Sequence, residues 1–169
     1  MRDSSFTLKF ILLALAQVLI WNYCNFSQYL MLALLPAIIL FLPTRQDTLI
    51  TMLIAFATGF AADFLADGML GLTSLSLVPV AFARKGIVRL IFGSEVLSRE
   101  ENISLQKHGI GNVIGSVMLS TALFLAIYIW ADGAGTRPLW FNLVKFGASL
   151  IMSGTVSVLL AAILFQEER

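Results

Sequence analysis

Charge is what this chain has least of. Only 12% of its 169 residues are Asp, Glu, Lys or Arg, against roughly 25% in an ordinary soluble domain. So few polar side chains cannot cover a water-facing surface, which excludes a soluble globular fold. The charges nearly cancel, at +1 net, so no basic field draws nucleic acid. Cysteine and histidine occur once each. Cys24 has no second thiol for an internal disulfide or a thiolate metal cluster, and His108 has no ligand-spaced partner. No nucleophile–base pair, phosphate-cradling glycine loop or metal-ligand set can be assembled. The expectation is therefore no enzyme, no metal and no cofactor. No small-residue cleavage site follows MRDSSFTLKF, so the first apolar run reads as a retained span. Internal repeats and low-complexity tracts are also absent.

What fills the chain instead is apolar sequence, 59% of residues, with a mean hydropathy of +0.90. A bilayer-crossing helix needs about 20 mostly apolar residues, and six candidates appear, in one domain over residues 1–169. They cover about Leu8–Tyr23, Tyr29–Leu42, Thr48–Ala66, Met69–Ala83, Ile110–Ala131 and Leu143–Phe165. The second and fourth are short and contain Pro36 and Pro79, which predicts kinked, tilted or partly re-entrant segments whose freed carbonyls neighbours must satisfy. The expected class is an all-α integral membrane bundle of six spans.

Orientation follows from the cations. With the N-terminus inside, Arg2, Lys9, Arg45, Arg84, Lys85, Arg89, Arg99, Lys107 and Arg169 face the cytoplasm, leaving only Arg137 and Lys145 outside. Both termini and the long connection at about 84–109 are then cytoplasmic. Trp21, Tyr23, Trp130 and Trp140 fall where outer-interface aromatics belong. In the connection, Arg84, Lys85 and Arg89 alternate with bulky apolar residues, a composition suited to the membrane surface. The cluster reads as a positive-inside anchor, or as a surface for anionic lipid or a partner.

One stretch stands out: Gly59-Phe-Ala-Ala-Asp63-Phe-Leu-Ala-Asp67-Gly68-Met-Leu-Gly71. Asp63 falls roughly 5 Å inside the apolar boundary at 1.5 Å per residue, where a carboxylate is costly. The spacing of four stacks Asp63 and Asp67 on one helix face, and Ala55 and Gly59 continue it as small residues that admit a close neighbour. This is a packing groove with polar groups at its outer end, closed by a turn at Gly68 and Gly71. Asp63 reads as a hydrogen-bonding group between helices and Asp67 as a helix-end cap. Proton or ion coupling is the competing role, and it lacks further acids or histidines at depth. Gly111-Asn-Val-Ile-Gly115 in the fifth span also favours close helix packing, within the chain or between protomers.

The run of Gly59, Asp63, Asp67-Gly68, Leu70-Gly71-Leu72 and then Arg84-Lys85 through Arg89 resembles the rod shape-determining protein MreD family. So does Leu15-Ala-Gln17-Val-Leu-Ile-Trp-Asn22 with the Pro-containing second span after it. The likeness covers about residues 8–95, and beyond them it rests on length and span count. It implies a small, non-catalytic inner-membrane component of the bacterial elongation machinery. The implied partners are the bitopic protein MreC, the actin-like MreB filament and the RodA/penicillin-binding synthase complex of peptidoglycan. The family's six-helix arrangement is similar to the substrate-binding subunit of energy-coupling-factor vitamin transporters, so a small-molecule binding subunit is the second functional class. That class needs a ligand cavity beneath sizeable outer loops, and only Ala131–Asn142 offers room.

Overall fold

The computed structural model describes residues 2–23, 31–43, 45–66, 69–93, 109–133 and 138–164. Among them the chain is all-helical, with six helices and no strand: α1 Arg2–Tyr23, α2 Leu35–Leu40, α3 Thr48–Leu65, α4 Leu72–Phe92, α5 Ile110–Gly133 and α6 Leu139–Leu164. Three stretches are long and apolar enough to cross a membrane: Thr48–Leu65, Ile110–Gly133 and Leu139–Leu159. Their outward faces carry large apolar side chains, such as Leu53, Phe56 and Phe64 on α3 and Leu143 and Ile151 on α6. In water such surfaces would drive association; in hydrocarbon they are at home. The chain is a membrane protein by this measure.

The expected second span is not a membrane-length helix. Among its described residues only Leu35–Leu40 is helical, and residues 31–34 run without regular structure. Pro36 is the cause. Its ring clashes with the carbonyl four residues back and it has no N–H to offer, so it sits in the first turn of α2, where prolines are tolerated. Pro43 follows the helix closely. Six helical residues rise about 9 Å, so α2 alone is far too short to cross a bilayer.

The fourth element is also displaced, to Leu72–Phe92 instead of Met69–Ala83. It therefore swallows Arg84, Lys85 and Arg89, which belong to a continuous helix and not to a separate surface segment. Gly71, at φ 91, starts it and Gly93, at φ 86, ends it, both in the left-handed region that costs glycine little. Pro79 lies inside α4 and the helix runs through it.

The core forms around the short second element. Ala33 to Leu42, apart from Pro36, are all at most 7% exposed, and they pack with Leu13 and Val18 of α1, Leu77 and Val80 of α4 and Phe124 and Leu125 of α5. A second apolar cluster joins Ala37, Leu40 and Phe41 to Ile87, Val88, Val113 and Val117. The interrupted segment is thus enclosed by the longer helices.

Candidate functional site: polar contacts inside an apolar bundle

Two polar constructions lie within this apolar interior. The first joins α3 to α4. Asp63 is 3% exposed, and its Oδ2 accepts the N–H of Gly71 at 2.9 Å and of Thr73 at 3.0 Å. These are donors of the first turn of α4, which no intrahelical carbonyl can reach. The carboxylate also faces the positive end of the α4 dipole, which favours negative charge there. Beneath Asp63, Gly59 brings the two backbones together. A Cβ built on Gly59 would stand 2.7 Å from both the Cα and the N of Ser74, closer than any real side chain tolerates. Ser74 Oγ donates to the Phe56 carbonyl at 3.1 Å, and Ala55 is fully buried. The groove of Ala55, Gly59 and Asp63 is therefore occupied by α4 of the same chain. Asp67 and Gly68 lie outside the described residues, as do Cys24 and His108.

The second construction holds the interrupted segment, and here an amide does the work of a strand. Gln17 Nε2 donates to the Leu32 carbonyl at 2.7 Å while its Oε1 accepts the Leu34 N–H at 2.6 Å. Trp21 Nε1 adds a second donor to the Leu32 carbonyl at 2.8 Å. That carbonyl is the one Pro36, four residues on, has no N–H to bond. On the other edge, the N–H groups of Met31 and Ala33 donate to Ser149 Oγ and Ser153 Oγ, each at 2.9 Å. Ser153 Oγ returns a bond to the Met31 carbonyl at 3.1 Å. Successive serines on α6 are one turn apart, about 6 Å, and alternate N–H groups of an extended chain are about 6.6 Å apart. The two rows match, which makes α6 a template for this strand-like piece.

The other end of the segment is held by Arg84. It is 2% exposed, its Nε donates to the Leu40 carbonyl at 3.0 Å, and its Nη2 donates to the Leu42 carbonyl. These carbonyls belong to the end of α2, where a cation is favoured. Arg84 is accordingly removed from the expected surface cluster: its guanidinium faces inward. Lys85 is half-buried and Arg89 exposed, so these two remain available outside.

The glycine pair in α5 departs from expectation too. A Cβ on Gly111 would meet nothing within 4 Å, and one on Gly115 only the Ile91 Cδ1 at 3.9 Å. No close approach within the described chain uses them. The tight contact between α5 and α6 is instead Met118 over Gly154, where an added Cβ would fall 2.2 Å from the sulfur. At the far end of this pair, Lys145 Nζ and Asp132 Oδ2 form an ion pair at 3.2 Å.

Sequence reasoning missed Gln17, Ser149 and Ser153 as site residues. A signal existed in Ser149-xxx-Ser153-xxx-Ser157, hydroxyls on one face of an otherwise apolar helix. Gln17 is likewise an amide flanked by apolar residues from Phe10 to Trp21 in α1.

Chemically, the arrangement satisfies backbone: Asp63, Gln17, Ser149, Ser153 and Arg84 are each spent on main-chain groups of another segment. Among the described residues no three acids, histidines or cysteines gather to hold a metal. Comparison with family models, with curated proteins and with solved structures returned no match to this chain.

Proposed function

We propose that this protein is a non-catalytic scaffold of the bacterial cell-elongation (rod) complex, acting in cell shape and lateral peptidoglycan synthesis. The reading rests on the MreD-like residues from Gly59 to Arg89 and on one structural observation. Interrupted segments in transporters line the cavity where substrate binds. Here the interrupted segment is packed with its own Leu, Ile and Ala side chains, and its irregular backbone is closed by side chains of α1, α4 and α6. That is the construction of a rigid body that presents surfaces, and it leaves chemistry and substrate handling to partners.

In this reading the chain sits in the inner membrane as a six-pass protein, with the interrupted segment as the second pass and both termini in the cytoplasm. The partners are an MreC-like bitopic protein, the MreB filament beneath the membrane, the RodA/penicillin-binding synthase complex and lipid. Lys85 and Arg89 lie at the cytoplasmic end and attract anionic lipid, on the order of 1 kcal/mol per cation. The runner-up is the small-molecule binding subunit of a vitamin-type transporter, the class to which the six-helix likeness points. Its support in the structure is a set of buried hydroxyls with no hydrogen-bond partner among the described residues.

Affinity purification from mild detergent separates the two. Recovery of a bitopic protein with a periplasmic coiled coil is the expected result, and recovery of a pair of cytoplasmic ATPases would sink the scaffold.

A further inference from the structure

One face of α4 is open. Leu75, Phe82 and Leu90 stand 58%, 67% and 78% exposed on it, and Arg89 is exposed beside them. Gly86 falls one turn from both Phe82 and Leu90, and a Cβ on it would meet nothing within 4 Å. At 3.6 residues per turn these positions share roughly a third of the helix circumference. Gly86 is therefore an open notch between two bulky side chains. Lys85 lies half-buried at the edge of the same face. Neither Lys85 nor Arg89 forms an ion pair among the described residues.

The height of this face separates a protein partner from plain lipid. Gly59 of α3 lies against Ser74 of α4, and Asp63 meets Gly71 and Thr73, so the two helices run antiparallel. Eleven residues on from Ser74 is Lys85, and eleven back from Gly59 is Thr48, where α3 begins. Leu90 is five residues past that level, about 7.5 Å at 1.5 Å per residue. Leaflet phosphates that meet Lys85 and Arg89 would leave Leu90 among the headgroups. A helix packed along α4 instead covers Phe82, Gly86 and Leu90 together, a rise of about 12 Å. A second copy presenting the same face would set Lys85 and Arg89 against their own kind, and like charges opposed disfavour a contact.

We propose that this face of α4 docks a membrane-spanning helix of a different protein, seated at Gly86 and carrying an acidic side chain that pairs with Lys85 and Arg89. Close approach at a small residue is how helices associate in hydrocarbon, where packing and polar contacts replace the hydrophobic drive. The acid follows from the charges. A carboxylate at membrane depth is costly and is found paired, and the two cations beside the notch offer that pairing. The inference rests on the scaffold reading and deepens it, naming where a partner sits and what marks its helix.

Site-specific photo-crosslinking of the full chain in its native membranes tests it, with benzoylphenylalanine in place of Phe82 and the joined peptide sequenced by mass spectrometry. The expected product joins position 82 to an apolar segment of another protein, with an Asp or Glu within about two helical turns of the junction. Gly86→Leu fills the notch and should lower the crosslink yield several-fold. Folded yield should stay unchanged, because the added side chain enters open space. Lys85→Glu with Arg89→Glu should lower the crosslink to a similar extent, and Lys85→Arg with Arg89→Lys should keep it. Products with lipid alone, or with another copy of this chain, overturn the proposal. So does a joined segment without an acid, or a crosslink that survives either Gly86→Leu or the charge reversal. The two readings fail separately. A rod-complex partner joined at another face sinks only this one, whereas a transporter's membrane subunit joined at position 82 sinks the scaffold.

Discussion

The contact between α3 and α4 and the segment of residues 31–42 solve the same problem in opposite ways. Both place polar groups in an apolar interior. Between α3 and α4, two long helices satisfy most of their own backbones, and Asp63 takes the free donors at the start of α4. In the interrupted segment the backbone is only partly helical, and side chains from three other helices take the place of its missing bonds. The first is a local device: Asp63 lies 8 and 10 residues from Gly71 and Thr73. The second reaches across the chain, over 15–17 residues from Gln17, 42–44 from Arg84 and 118–122 from Ser149 and Ser153. Irregular backbone in a membrane is tolerated only where it is enclosed this way.

The largest effect is expected where two backbones touch. Gly59→Val places branched atoms against the Ser74 main chain, which cannot move aside without separating α3 from α4, and should cost about 3 kcal/mol or more. Loss of folded yield on size-exclusion chromatography measures it. A monodisperse, full-yield variant would mean that the helices are not in this contact.

Next comes the interrupted segment. Gln17→Leu leaves the buried Leu34 N–H without a partner and the Leu32 carbonyl with Trp21 alone, a loss of about 2–3 kcal/mol. Thermal unfolding in detergent should fall accordingly, and proteolysis near residues 31–34 should accelerate. A variant as stable as the parent would show that α1 does not hold the segment.

Asp63 separates hydrogen bonding from charge. Asp63→Leu strands two donors at the start of α4 and should destabilise by about 2 kcal/mol. Asp63→Asn keeps an accepting oxygen and loses mainly the interaction with the helix dipole, about 0.3–1 kcal/mol. If Asn is as damaging as Leu to partner recovery while protein level stays normal, the negative charge has a role beyond holding α4.

The smallest effect belongs to the other glycine pair. Gly111→Ala and Gly115→Ala meet no atom closer than 3.9 Å, so each should leave folded yield unchanged or slightly raised, given alanine's better helix propensity. If the double variant instead shifts the oligomeric state, the face of α5 that carries them is a contact between copies.

The same contrast explains what could be read in advance. The groove at Ala55, Gly59 and Asp63 was visible because its parts recur every four residues and its partner follows after one turn of chain. Pro36 announced a freed carbonyl in the second element, but nothing near it in sequence said that Gln17 and Trp21 would take the Leu32 oxygen. Gly111 and Gly115 looked like a packing motif because spacing alone carries no information about what lies opposite. Arg84 looked like Lys85 and Arg89 because the three share a charge. Only the length of α4 and the position of α2 turn the first inward.

By itself, then, the sequence determined the solvent and the secondary structure class. Too few charges for a water-facing surface, and apolar runs of membrane length, leave little besides helices in a bilayer, because there every backbone group must find a partner. The tertiary structure decided which groups would partner the stretch that is not helical. That choice depends on residues up to 122 positions apart arriving at matching heights, and helix-to-helix register is set by packing of the whole bundle. No local pattern encodes it.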